Sequence, residues 1–263
     1  MKRRSFIHSL VASLVFFKTG KLTFAKGVSM IIHPSNTRGV ANHGWLKSHH
    51  TFSFADYYNP ERMSFGALRV LNDDSVAPAM GFGTHPHRDM EIISIPLSGS
   101  LQHRDSEGNA QLIRKGEVQI MSAGTGVYHS EYNASTSEDV KFLQIWVLPK
   151  KLGIKPRYEQ KIFDPKVNQL SLVVSPDGRE GSVTINQDAF FSLAEINNSE
   201  VAYARKLKGN GVYIFVLEGE VEIDGKTFSK RDGIGFEHFE TINIKSKLAE
   251  VLLMEVPMSG VRS

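Results

Sequence analysis

An all-β chain folded as two small β-barrels in tandem is what this sequence predicts, and three observations predict it. Short apolar and β-branched runs recur between turn signals, the pattern of strands rather than helices. No stretch of the N-terminal half carries a 3.6-residue apolar period with caps. The chain also repeats itself: Ile95-Pro96-Leu97-Ser98-Gly99-Ser100-Leu101 aligns with Phe215-Val216-Leu217-Glu218-Gly219-Glu220-Val221, 120 positions later. Each copy leads into a hairpin and then a glycine-led strand, Lys115-Gly116-Glu117-Val118 in one and Asp232-Gly233-Ile234-Gly235 in the other. Barrels of this size enclose a tapered interior that can hold a ligand or a metal.

Residues 1–25 read as an export leader of twin-arginine (Tat) type. Arg3-Arg4 is followed by Phe6 and Ile7, an apolar stretch runs over 10–17, and Thr23-Phe24-Ala25 offers a small-residue cleavage site. The apolar stretch is too short to span a bilayer, so no stable membrane insertion is expected. Export would place the protein in the periplasm; without it the chain is cytoplasmic. The leader also carries the charge. The whole chain is +3, but without Lys2, Arg3, Arg4, Lys18 and Lys21 it has 26 basic against 28 acidic residues. With no basic stripe elsewhere, nucleic acid is not an expected partner. The absence of cysteine excludes disulfides, zinc-thiolate sites and thiol nucleophiles.

The first barrel is expected over 29–150, with strands at 65–71, 91–97, 117–121 and 141–148 and a turn at Glu107-Gly108-Asn109. Prolines 149, 156 and 165 and many charges make 151–169 a connecting arm. The second barrel follows over 170–257, with strands at 170–174, 211–217, 220–223, 226–229, 242–244 and 249–256. Asp224-Gly225 between two alternating runs is a strong hairpin signal. Residues 189–195 are ambiguous, although Phe190-Phe191 suits a buried strand.

Chemistry concentrates in two segments, His85-Pro86-His87 and His129-Ser130-Glu131. Residues two apart on a strand share a face, so each segment is a two-toothed clamp if extended. Facing clamps would hold one divalent cation with three imidazoles and a carboxylate. That donor set suits iron, nickel, cobalt, manganese or copper and leaves positions open for chemistry. Glu91, four residues beyond His87, lies on the same strand face and is physically able to reach the cation instead of Glu131.

The spacing matches the cupin pattern, Gly-x5-His-x-His-x3,4-Glu-x6-Gly followed by Gly-x5-Pro-x-Gly-x2-His-x3-Asn. The first motif reads Gly81, His85, His87, Glu91, Gly99 with slight drift. The second reads Gly116, Ser122, Gly124, His129, Asn133, with serine for proline and two residues added before His129. A narrower match covers 41–149. His43-Gly44-Trp45-Leu46, His50-Thr51-Phe52-Ser53-Phe54-Ala55-Asp56-Tyr57-Tyr58, 83–91 and 121–131 closely resemble the bacterial pirin family. The leader is a departure from most members, which are cytoplasmic.

That resemblance implies a bicupin whose N-terminal barrel alone holds a metal, with His85, His87, His129 and Glu131 as ligands. Iron(II) is the first expectation, with nickel, cobalt, manganese and copper as alternatives. Glu91 and His103 are then groups that bond to the ligands or to the core. His43, His49 and His50 are expected to pack or cap. Phe52, Phe54, Tyr57, Tyr58 and Phe65 belong to core and rim, one or two of them at the pocket mouth. His238 stands alone in the second barrel, which is expected to be metal-free. The resemblance further implies a quercetin 2,3-dioxygenase acting on a small aromatic such as a flavonol, with dioxygen; a monomer is the expected assembly. Glu131 would be its catalytic base. A non-enzymatic redox-sensing pirin and another metal-dependent cupin enzyme are the rival readings.

Overall fold

The computed structural model describes residues 30–259, so the leader and its cleavage site lie outside the described residues. The regular structure of the described residues is nearly all strand. The first half contains β1 Met30–His33, β2 Gly39–Asn42, β3 Leu46–His50, β4 Leu68–Val76, β5 Gly81–His87 and β6 Glu91–Ser98. It continues with β7 Ser100–Asp105, β8 Ala110–Arg114, β9 Glu117–Ser122, β10 Val127–Asn133, β11 Val140–Val147 and β12 Arg157–Ile162. The second half contains β13 Ser171–Ser175, β14 Val183–Thr184, β15 Phe190–Ala204, β16 Asn210–Ile223, β17 Lys226–Ser229, β18 Gly233–Phe236 and β19 Thr241–Pro257. Among the described residues helix is confined to two 3-10 turns, Ser35–Thr37 and Arg179–Gly181. Among the described residues no helix is long and apolar enough to cross a membrane.

Two sheets build the first barrel, one in the order β12-β9-β6-β11-β4-β3-β2 and the other β5-β10-β7-β8. A third sheet, β1-β18-β16-β19-β15-β13-β14 with β17 on β16, builds the second. Three segments behave differently from the sequence expectation. The arm at 151–169 contains β12, which pairs with β9 from Arg157↔Ser122 to Ile162↔Glu117; its prolines flank the strand and leave these residues free to bond. β1, within the stretch read as the first barrel, pairs instead with β18 of the second. The strand read at 65–71 begins later, at Leu68, because Phe65 and Leu68 close a turn by bonding to each other. The ambiguous 189–195 is strand, the start of β15.

The repeat is structural as well. Gly99 and Gly219 both adopt positive φ, +74° and +76°, at the bend where one strand peels from its sheet. Each is pressed against the backbone of a facing strand, Val140 for Gly99 and Leu248–Ala249 for Gly219. The Asp224-Gly225 turn has positive φ at both residues, 50° and 71°, as a two-residue hairpin of this hand requires.

The large sheets pack face to face. Leu71, Ile93, Ile95, Leu143 and Ile145 meet Tyr213, Phe215, Leu217, Leu252 and Met254 in one buried cluster. The central strands of the first barrel are therefore buried on both faces, which is why β6 and β11 read as near-continuous apolar runs. Facing the other way, the second barrel fills its interior with Ile196, Val212, Ile214, Val216, Val251, Leu253 and their neighbours.

Gly219→Ala places a Cβ against the Leu248 carbonyl at a left-handed φ. It should lower unfolding free energy by roughly 2–4 kcal/mol. Gly225→Ala, with a similar φ but open space around it, should lose only about 1 kcal/mol. Urea titration of both variants checks the difference; equal losses would contradict the packing argument.

Candidate metal centre

The two clamps sit on strands that pair with each other. β5 is the edge of its sheet and β10 its neighbour, with His129 opposite His85. The edge tolerates Pro86 between the two histidines, since proline cannot serve a ladder on both sides. The register slips between His129 and Glu131, which pairs with Phe82. This puts an extra residue into β5 near Gly83, a bulge of the kind that re-aims neighbouring side chains. The Gly83 carbonyl accepts a hydrogen bond from His85 Nδ1 at 2.8 Å.

The three imidazoles converge. Ring centroids of His85, His87 and His129 lie 4.4 to 4.9 Å apart, and their ligand nitrogens lie within 4.8 Å of one another. His129 Nε2 is 3.0 Å from His85 Nε2. Hydrogen-bond partners assign the tautomers. His85 keeps its proton on Nδ1, facing the Gly83 oxygen. Asp105 Oδ2 accepts from His103 Nε2 at 3.1 Å, leaving His103 Nδ1 as acceptor for His129 Nδ1 at 3.5 Å. Both Nε2 atoms therefore present lone pairs to each other. Two nitrogens bound at right angles to a cation about 2.1 Å away would lie about 3.0 Å apart, so the donors fit a divalent transition metal. Burial holds His87 down to about 4, with His85 adding to the shift, and holds His129 well below the ordinary imidazole range. Neutral imidazole is the ligating form.

His129 and Glu131 also form a second cluster with His103. His103 has both nitrogens committed to Asp105 and His129, so it supports a ligand. Asp105 is itself held by Asn109, through the amide side chain at 2.8 Å and the backbone N–H at 2.9 Å. Such carboxylate–histidine chains orient a ligating ring and raise its basicity.

Glu131 lies beside His129 with its carboxylate drawn toward the large sheet. Oε1 accepts from Ser94 Oγ at 3.1 Å and Oε2 from Gln144 Nε2 at 2.7 Å. Burial pushes this carboxyl up to about 7 against the Ser94 and Gln144 bonds, and the charge of Asp74 pushes the same way. Of the two roles expected for Glu91, bonding to a ligand or to the core, the structure shows the second: it bonds neither to the cation cluster nor to a ligand. Its strand pairing puts it opposite Ser122, whose Oγ donates to Oε2 at 2.8 Å, and Asn186 N–H of the second half donates to the same oxygen at 3.0 Å. Glu91 thus ties the halves together.

Sequence reasoning missed the wall that faces the histidines. One register row crosses the large sheet as His50↔Asn72↔Gln144↔Ser94↔Gln119, all buried. The row separates two apolar plugs, one around Leu46, Leu101 and Phe142 and the other around Ile92, Met121 and Val127. Its signal was present: Ser94 and Gln144 each interrupt an apolar run at an inward position. A cavity of about 170 Å³ lies between this wall and His85 and His87, with Phe54, Phe82 and Trp146 along its sides. Trp146 stands edge-on to His87, centroids 5.0 Å apart, and its Nε1 is buried without a partner among the described residues. Of the aromatics expected at core and rim, Phe52 and Phe65 pack on Tyr213, whereas Phe54 lines the cavity. His50, expected to pack or cap, is part of its wall, and His238 is exposed.

Both halves of the chain resemble known proteins. Residues 33–147 match the pirin family model and residues 172–256 that of the quercetinase C-terminal cupin domain. The chain is 46% identical over 227 residues to the quercetin 2,3-dioxygenase of Escherichia coli strain K12, covering 86% of this chain and 98% of that protein. A pirin-like protein of Caulobacter vibrioides is 38% identical over 227 residues, covering 84% and 97%. Among solved structures, the bacterial pirin YhhW of Escherichia coli in complex with nickel(II) superposes with a TM-score of 0.84 at 44% identity, covering 88% of this chain and 100% of that one.

Burial raises Glu91 to about 7 from 4.5, against opposing bonds from Asn186 and Ser122 and the charge of Arg157. The folded state thus holds this proton more tightly than the unfolded chain. Its contribution to stability is full below about pH 4.5 and lost as pH rises to about 7. Glu91→Gln should flatten the fall of unfolding free energy across that window, by up to about 1.4 kcal/mol per pH unit. Urea titrations at several pH values check this; an unchanged slope would contradict it.

Proposed function

Because the chain belongs to the pirin family, we propose that it is a metal-dependent quercetin 2,3-dioxygenase. It opens a flavonol with dioxygen, releasing carbon monoxide and leaving a depside. The observation that carries this reading is the convergence of the His85, His87 and His129 imidazoles beside the cavity that His85 and His87 line, with the Nε2 atoms of His85 and His129 3.0 Å apart. His85, His87, His129 and Glu131 are the proposed ligands. Iron(II) is the proposed metal, and nickel, which the similar YhhW structure contains, is the alternative. When bound, the cation supplies a Lewis acid that lowers the pKa of the flavonol 3-hydroxyl and an open position for exchange.

The chain's own residues do the rest. Glu131, held by two neutral donors, Ser94 and Gln144, rather than by a cationic partner, would accept the 3-hydroxyl proton. Asp105 and His103 keep His129 in its ligating tautomer. Phe54, Phe82 and Trp146 give a flat ring apolar walls and keep water from it. At about 170 Å³ the cavity is smaller than the roughly 300–1,000 Å³ usual for ligands of this size. A flavonol therefore enters by displacing the rim at 54–58, where Tyr58 is 72% exposed.

Two further proposals rest on sequence alone. Arg3-Arg4 and the apolar run support Tat export to the periplasm, tested by fractionating cells that carry Arg3→Lys and Arg4→Lys. A monomer without a nucleic-acid partner is the proposed assembly, tested by sedimentation.

Metal-loaded protein should consume dioxygen and release carbon monoxide with quercetin. Chelation or His87→Ala should abolish both, and Glu131→Gln should lower kcat by about 10²–10⁴-fold. Oxygen electrode and carbon monoxide assays check this. Turnover that persists after chelation, or in His87→Ala, would contradict the proposal.

A further inference from the structure

In the second barrel the buried carboxylate, Glu255, has both oxygens bonded, by Tyr203, Asn210 and the backbone of Lys206 and Leu207, amid an apolar interior. The first barrel departs from this most strongly on β3 and β4. Ser48, His50, Asn72 and Asp74 are each at most 4% exposed, and all four line the cavity that holds His85 and His87. They satisfy one another only in part. Ser48 Oγ donates to Asp74 Oδ1, and His50 Nδ1 donates to Asn72 Oδ1 at 2.9 Å. Among the described residues, no hydrogen bond reaches Asp74 Oδ2 or Asn72 Nδ2. Neither atom is sealed from solvent without a partner, so both open on the cavity, where a free acceptor and a free donor on one wall are groups a ligand can pair.

Position sharpens the identity of that contact. Asn72 pairs with Gln144, whose amide holds Glu131, and neighbouring strands lie about 4.8 Å apart. The free pair therefore sits roughly 5–10 Å from the carboxylate, one or two strands across the sheet. That is about the distance from one oxygen to another across a fused aromatic ring system. The cavity sides between them are aromatic.

We infer that Asp74 and Asn72 form a hydroxyl-recognition subsite, binding a phenolic group on a ring of the substrate remote from the oxygen that approaches the histidines. The phenol donates to Asp74 Oδ2 and accepts from Asn72 Nδ2, while Ser48 and His50 hold the two side chains in place. This inference rests on the reading that a flavonol occupies the cavity. It makes the site selective for polyhydroxylated over bare flavonols, because an analogue without the hydroxyl leaves both polar groups unpaired.

The test is anaerobic equilibrium binding to metal-loaded protein, followed by quenching of tryptophan fluorescence, since Trp146 lines the cavity. Quercetin is compared with 3-hydroxyflavone, which lacks every ring hydroxyl except the one at the 3-position. Wild type should bind quercetin at least about 10-fold more tightly. In Ser48→Ala/Asp74→Leu, which replaces a bonded pair by apolar groups, the ratio should fall toward one, with affinity for 3-hydroxyflavone kept within about threefold. The isosteric Asp74→Asn, least disturbing to the fold, should lower the ratio to below half of the wild-type value. A wild-type ratio near one, or a ratio unchanged in both variants, would overturn the subsite. Oxygen uptake on the same samples separates the two readings. Selective binding without turnover overturns the dioxygenase and leaves the subsite standing. Turnover with selectivity unchanged in the variants does the reverse.

Discussion

Two imidazole nitrogens cannot be held 3.0 Å apart, lone pair to lone pair, without something positive between them. The Gly83 carbonyl claims the proton of His85, and the chain through His103 to Asp105 claims that of His129. With the protons so placed, the two facing Nε2 atoms would both bond a cation set between them. Much of the first barrel serves that contact. The edge strand admits Pro86 between two ligands, the bulge near Gly83 turns its carbonyl to His85, and burial keeps His87 and His129 neutral at physiological pH.

Such a site is expensive for a small barrel, because the space it occupies is not filled with aliphatic side chains. The fold compensates outside the barrel. The large sheet of the first half is buried on its outer face against the second half, in a cluster running from Leu71 and Ile145 to Phe215 and Met254. Glu91 adds a tie across the same junction. The second barrel, with the same repeat and the same strained glycine bend, is largely apolar inside, apart from buried Glu255, which Tyr203, Asn210 and the backbone of Lys206 and Leu207 fully satisfy. Duplication lets one copy stabilise while the other carries polar chemistry inward, and the row from His50 to Gln119 is where that division is clearest.

The sequence made legible what depends on local spacing. An i, i+2 pair of ligands needs only an extended backbone to share a face, and both segments are strands. The repeat and the Asp224-Gly225 turn were readable because positive φ restricts residue choice. What depends on register was not readable. Whether Glu91 or Glu131 reaches the histidines turns on which strand lies opposite, and Ser122 and Asn186 decide it for Glu91. β1 crosses to the other barrel, and β12 hides in a proline-marked arm, because both depend on partners far along the chain. The polar row was visible only as isolated interruptions, since no spacing rule joins Asn72 to Gln144.

The measurement that tests the account most directly is X-ray absorption spectroscopy of the metal-loaded protein, with His85→Ala in parallel. Three imidazole scatterers and additional oxygen at about 2.1 Å are predicted, with one imidazole lost in the variant. Fewer than three imidazoles in the wild type, or an identical spectrum from His85→Ala, would contradict the claim that these facing lone pairs are the metal site.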